Sequence, residues 1–407
     1  MRLRTPRTAL LATSTAALLL PLLAFGGATT ATAASGTAPI QRSDRGDVAA
    51  AYRVMWAKSL RTPIGWTGST SGCTAGTTSA QQEQATLDAV NFARRLAQLD
   101  TVTFDDTYSE KAQKAALVYR AQGDLAHDIP SSWKCYTEDA DAAGQKSNIA
   151  LGVAGAQSIG AYLVDGGSTN TAVGHRRWIL HPPTRKMGSG STDGSNALWV
   201  IGSNAGSGYR NPAWIPWPTP GYFPSRMEPN GRWSLSGAQG KSYDFSAAKV
   251  SVKTKSGTAL KVVKQKVQPG YGADTLVFQV SGVKLPKSYG LTTYEVAVSG
   301  IKTGGSTVTH RYEVKFFDPM TLRPQTKPVI TGTAAVGSTL KVTPTDYAPD
   351  ATRTTYQWYR GGTAISGATA RTYIVTGADA GSTLTVKVTG SRTHYRSTTT
   401  SASVAIP

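Results

Sequence analysis

Cysteine is nearly absent from this chain: 407 residues contain two, Cys73 and Cys135. Two thiols cannot close a four-thiolate zinc site, and without C-x-x-C spacing they do not form a redox pair. Acidic residues are scarce as well, 24 Asp+Glu against 43 Lys+Arg. No stretch beyond the N-terminal segment approaches the ~20 apolar residues of a membrane-spanning helix. Neither G-x-S-x-G nor H-E-x-x-H occurs, which removes the nucleophile elbow and the zincin helix. Nothing resembles a nucleic-acid reading motif despite the basic balance, so nucleic acid is not an expected partner. Histidine is limited to five residues. Two of them stand in the segments Asp124-Leu-Ala-His127 and Gly174-His175-Arg176-Arg177. A neutral imidazole can bind metal or accept a proton near neutral pH, so a converging pair defines a candidate site.

The first 34 residues read as an export signal. Arg2, Arg4 and Arg7 precede an apolar run from Ala9 through Phe25, and Ala31-Thr-Ala-Ala34 supplies a cleavage site near Ala33 or Ala34. An exported chain is expected to be secreted, and its even cysteine count points to one disulfide, Cys73–Cys135. Charge is unevenly spread. Residues 35–231 carry 18 Lys+Arg and 16 Asp+Glu, and residues 232–407 carry 22 and 8. The basic back half favours an anionic partner, either a cell-wall polymer or a lipid surface.

Periodicity divides the chain. Leu87, Val90, Arg94 and Ala97 mark a helical face, and Thr107-x-x-Glu110 reads as the capping box of a second helix that ends at Gly123. Further helices are expected over 157–165 and 172–180, and a buried strand over 197–201. An N-terminal extension (35–79) precedes this helical domain (80–204). Prolines and aromatics crowd 205–231, which reads as an extended connector. From 232 to 318 the pattern alternates with period two, as in Leu276, Phe278 and Val280, and predicts an all-β sandwich. A linker (319–328) leads to a second β-sandwich (329–407). His181 is expected at a helix end, and His310 and His394 on the surface of the β domains. The Lys249, Lys253 and Lys255 face is either an anion-binding surface or edge-strand protection.

Residues 80–202 resemble the CAP superfamily of cysteine-rich secretory, antigen 5 and pathogenesis-related proteins, in its bacterial SCP-like branch. The resemblance rests on Asn91-x-x-Arg94, Asp-Leu-Ala-His127, Ser147-Asn148-Ile149-Ala150 and Gly174-His175-Arg176-Arg177. It implies an α+β fold, an αβα three-layer sandwich with a central cleft, here followed by two all-β domains. In that family two histidines and two glutamates line the cleft and can hold a divalent metal. Here His127 and His175 are kept, Ser147 stands at the first glutamate position and Asp165 at the second. The resemblance therefore implies at most a weak zinc site of His127, His175 and Asp165, with no cofactor required. Glu138, Asp139 or Asp141 could compensate from a nearby loop. Asn91 and Arg176 are candidate ligand contacts. The last 80 residues resemble the immunoglobulin-like repeats of exported actinobacterial proteins, carried by Tyr356-Gln-Trp358-Tyr-Arg360 and Ile365-Ser-Gly-Ala368, with Trp358 as the expected core residue. The combined reading is a secreted, non-enzymatic protein that binds an envelope or extracellular ligand in its cleft. The rival reading is a metal-assisted or acid–base hydrolase of wall or lipid.

Overall fold

The structure is a computed structural model that describes residues 37–167 and 170–407. The expected export signal lies outside the described residues. Helix α1 (Arg45–Ala51) starts where the Asp44 carboxylate accepts from the Gly46 and Asp47 amides. It runs on through a π-helical turn (Tyr52–Ala57), whose Tyr52 and Trp56 rings each lie 5.8 Å from the Phe92 ring. The expected N-terminal extension is thus built into the core of the helical domain.

Helix α2 (Ala80–Leu96) is capped by Ser79. A short strand β1 (Thr103–Phe104) precedes helix α3 (Asp106–Gln122), whose cap is the Asp105 carboxylate accepting from the Tyr108 amide. The capping box expected at Thr107 does not form, because the helix has already begun there. Gly123 closes α3 with φ 78°, the left-handed conformation that favours glycine. Helix α4 (Glu138–Gly144), strand β2 (Ser147–Leu151), helices α5 (Ala156–Val164) and α6 (Gly174–Ile179), and strands β3 (Lys186–Ser191) and β4 (Ser195–Trp199) complete the domain.

The sheet runs β1-β3-β4-β2, with β1 parallel to β3 and the other pairs antiparallel. Strand side chains alternate between two covered faces. Ile149, Ala197 and Trp199 pack with Ala112, Ala115 and Tyr119 of α3 and with α4. Ala150, Leu198 and Val200 pack with Phe92 of α2 and with Ile159, Tyr162 and Leu163 of α5. These are the three layers of the αβα sandwich. Helix α3 lies so close to β3 that a Cβ at Gly190 would meet the Gln113 backbone nitrogen at 2.1 Å.

The middle module is a sandwich of two four-stranded sheets. One contains β5 (Trp214–Trp217), β7 (Arg232–Gly237), β9 (Lys261–Lys264) and β10 (Thr275–Ser281). The other contains β6 (Gly221–Pro224), β8 (Lys249–Thr254), β11 (Thr292–Thr303) and β12 (Ser306–Phe317). The segment 205–231, expected as a connector, instead supplies an edge strand to each sheet. Its prolines are accommodated because an edge strand leaves one row of amides outside the ladder. Trp233, fully buried, meets Phe278, Tyr294 and Phe316 between the sheets. His310 is not the surface residue expected. It is half-buried, stacked between Trp214 and Tyr312 with centroids 5.2 and 5.3 Å away. His394 is exposed, as expected.

The expected linker also enters the fold: β13 (Arg323–Pro324) pairs with β16 (Tyr347–Ala348), and Met320 and Leu322 are buried. The last module sets β14 (Val329–Thr331), β15 (Thr339–Thr343) and β19 (Thr372–Ile374) against β17 (Arg353–Arg360), β18 (Thr363–Ala364), β20 (Thr383–Ser391) and β21 (Thr398–Ala405). Trp358 sits at its centre, fully buried, and donates to the Ala370 carbonyl at 3.0 Å. Cys73 and Cys135 form the expected disulfide. Among the described residues no helix is long and apolar enough to cross a membrane.

Candidate functional site

His127 lies in the loop after α3, where its Nδ1 donates to the Gly144 carbonyl at 2.9 Å. A carbonyl only accepts, so Nδ1 carries the proton and Nε2 keeps the lone pair of the neutral ring. His175 lies in the first turn of α6. Its Nδ1 is 2.9 Å from Asp165 Oδ1, so this ring too presents an unprotonated Nε2 when neutral. Asp165 follows α5 with φ 52°, and Val173 precedes α6 with φ 47°. Left-handed backbone at a branched residue such as Val173 is strained. The Asp165 carboxylate thus stands behind the His175 imidazole.

The two histidines and Ser147 line one cleft of about 650 Å³, within the usual range of ligand sites. Ser147 projects from β2, and its buried Oγ finds no hydrogen-bond partner in the protein. Asp165 is not on the cleft wall. It is 2% exposed, and its oxygens accept from His175, from the Asn170 side chain and, at 3.1 Å, from the Arg176 amide.

The expected zinc set of His127, His175 and Asp165 is therefore not assembled. Among the described residues no three His, Cys, Asp or Glu side chains gather as a ligand group. Asp165 orients His175 from behind, and both of its oxygens already accept hydrogen bonds within the protein. Compensation from the acidic triplet is absent too. Glu138, Asp139 and Asp141 open helix α4, where Asp139 pairs with Lys111 and Lys114 and Asp141 accepts from the Ile129 amide.

Two other expected contacts are structural. Asn91 exchanges two hydrogen bonds with the Val102 backbone, at 2.8 and 2.9 Å. Arg176, 1% exposed, points away from the cleft. It donates to the Leu163 and Val164 carbonyls and, across to the middle module, to the Arg232 carbonyl and Ser234 Oγ. Burial lowers its pKa to about 10, and the carboxylate of Asp165 partly restores it. His181 ends α6 as expected, but it is buried, and burial together with Arg94 lowers its pKa to about 4.

Sequence reasoning missed one whole wall of the cleft. Pro269, Gly270 and Tyr271 come from the loop between β9 and β10 of the middle module. The signal was the turn Pro-Gly-Tyr-Gly, which holds an aromatic residue between glycines. Gly174 makes room for it, since a Cβ there would fall 2.7 Å from the Tyr271 ring.

An αβα sandwich with paired histidines in a central cleft defines a class, and comparison with known proteins assigns it. Residues 87–201 match the CAP family, described as the cysteine-rich secretory protein family, and this stretch is a CAP domain. No curated protein matches the chain. Among solved structures, an amphioxus IgVJ-C2 molecule is 14% identical, with 44% of this chain and 96% of that one covered at TM-score 0.15. The four N-terminal Ig domains of Dscam1 isoform 6.9 are 16% identical, with 44% of this chain and 42% of that one covered at TM-score 0.15. Domains EC22–24 of mouse cadherin-23 are 12% identical, with 39% and 54% covered at TM-score 0.14.

Proposed function

We propose that this chain is a secreted, non-enzymatic binding protein whose CAP cleft holds an envelope or extracellular ligand. The observation that carries the reading is the cleft itself. Two imidazoles are each fixed through Nδ1, beside a buried hydroxyl that has no partner of its own. That arrangement orients polar groups for a ligand. It supplies no activated nucleophile, since Ser147 Oγ bonds to neither ring. The disulfide and the export-signal pattern support an oxidising location outside the cell.

The basic β modules would aid attachment to an anionic surface, although part of the lysine face is already engaged. Lys255 pairs with Glu295 and Glu313, and Lys264 donates to three backbone carbonyls. The test is retention of the full chain on purified Gram-positive cell wall across a salt series. The double variant His127→Ala, His175→Ala is expected to lose the salt-resistant fraction. Wild-type levels of salt-resistant retention in that variant would overturn the reading.

One observation favours a second reading, acid–base hydrolysis: the His175–Asp165 pair has the geometry of an oriented general base. Turnover of wall or lipid ester that is lost in the double variant would establish it over binding alone. In neither reading is a resident metal required. Added Zn²⁺ is expected to leave the melting temperature unchanged, because a ligand selective for the folded state would raise it.

A further inference from the structure

The cleft wall from the middle module is gripped by Arg177, with a longer bond from Gln268 Nε2 to Thr171 Oγ1 beside it. Arg177 Nη1 donates to the Gln268 carbonyl at 2.8 Å and Nη2 to the Ala273 carbonyl at 2.9 Å. Its guanidinium also lies 5.3 Å from the centroid of the Tyr271 ring. The loop is thus clamped at both ends and at its aromatic centre. Tyr271 remains 38% exposed, with its ring seated over Gly174.

The lining is also notable for its charge. Among the described residues, no Asp, Glu, Lys or Arg side chain lines this cleft. Arg176, Arg177 and Arg232, beside it, direct their terminal guanidinium nitrogens to backbone carbonyls. A free guanidinium or ammonium would favour an anionic ligand, and a free carboxylate a cationic one. What the cleft offers carries no permanent charge: two imidazoles, the Ser147 hydroxyl, three side-chain amides and the rings of Trp178 and Tyr271. Such groups donate and accept without charge, and aromatic faces bury apolar surface while their edges stay wet.

We infer that the cleft takes a neutral, polyhydroxylated ligand, a carbohydrate segment. In this reading Tyr271 of the middle module is a stacking surface, and Arg177 is the positioning residue that holds it. The inference rests on the binding role of the cleft and adds its ligand class. It also makes the site composite, since the CAP domain alone lacks the Tyr271 wall.

The probe is a series of neutral N-acetylglucosamine oligomers, with heparin fragments and a glycan-free wall peptide as competitors. Binding to the full chain is followed by saturation-transfer NMR and tryptophan fluorescence. Transfer to ring C–H protons of the sugar is expected. Tyr271→Ala should weaken binding about tenfold, the loss of one stacked aromatic contact, while Tyr271→Phe should not. Arg177→Lys keeps the charge but not the two-carbonyl grip, and should weaken sugar binding with less effect on the melting temperature than on affinity. Gly174→Ala, which displaces the ring, should reproduce Tyr271→Ala. Binding of heparin fragments or peptide in preference to the sugars would overturn the inference, as would sugar binding unmoved by Tyr271→Ala. If no sugar binds while cell-wall retention still depends on His127 and His175, the ligand class fails and the binding role stands. Loss of both removes both.

Discussion

Asp165 is the residue on which the geometry of the cleft turns. It is buried, and it accepts from a ring, a side-chain amide and a backbone amide at once. Asn at this position would aim an NH₂ at a donor that now meets an oxygen. Asp165→Asn is expected to cost about 2 kcal/mol, the scale of a lost hydrogen bond to a charged group. In NMR a downfield His175 Nδ1–H resonance is expected from this contact in the wild type and should be absent in the variant, a signature that general destabilisation does not produce. A second residue sets the response to acid. The unfolded His181 takes up its proton near pH 6.5, whereas burial and Arg94 delay this to about 4 in the folded protein. Unfolding therefore gains protons as pH falls through that window. The His181 contribution is complete above about 6.5 and is lost by about 4. His310, lowered by burial, acts in the same direction. Melting temperature should drop across this range, with a shallower slope in His181→Gln. An unchanged slope would remove His181 as the cause.

At the scale of elements, sequence signals were good at periodicity and weaker at ends. The alternation of Leu276, Phe278 and Val280 became β10, and the helical face around Val90 became α2, because burial on one face constrains every second or every third to fourth residue. Caps depend on one side-chain angle, and adjacent candidates compete. Thr107 and Asp105 both suit a helix start, and Asp105 holds the position, supported by Lys186 at 3.0 Å. Asp105→Ala should therefore destabilise by about 1 kcal/mol. Thr107→Ala, at an exposed site, should stay within about 0.5 kcal/mol. Equal losses in urea titrations would contradict this cap. The Trp-Ile-Pro-Trp run at 214–217 was legible as extended but not as β5. Nothing local tells an edge strand from a connector when the partner strand is β7, some twenty residues away. The cleft shows the same division. His127, Ser147 and His175 were legible from short motifs. Tyr271 was not, because it reaches the cleft from another module through packing alone.

At the scale of the described residues, three buried apolar clusters emerge, and the one under α3 and α4 shares the sheet β1–β4 with a larger one. One buried cluster runs without a break from Tyr52 and Phe92 of the CAP domain to Trp233 and Phe316 of the middle module. Arg176 bonds both sides of that seam. The last module has its own core around Trp358, Leu340 and Val386. Shared apolar burial couples unfolding, and separate cores uncouple it. Calorimetry should resolve two transitions, one for residues 37–318 and one for the last module. Asp379 provides the marker. Burial opposes its ionisation, but hydrogen bonds from Arg360, Thr376 and Tyr373 prevail and hold its carboxyl down to about 2. Its contribution is present above the unfolded value near 3.9 and fades as pH falls toward 2. Asp379→Asn should thus lower only the last-module transition at neutral pH, and should lose its effect near pH 2. A single transition shifted as a whole would mean that the three modules fold as one body, and that the core around Trp358 is not independent of the seam at Arg176.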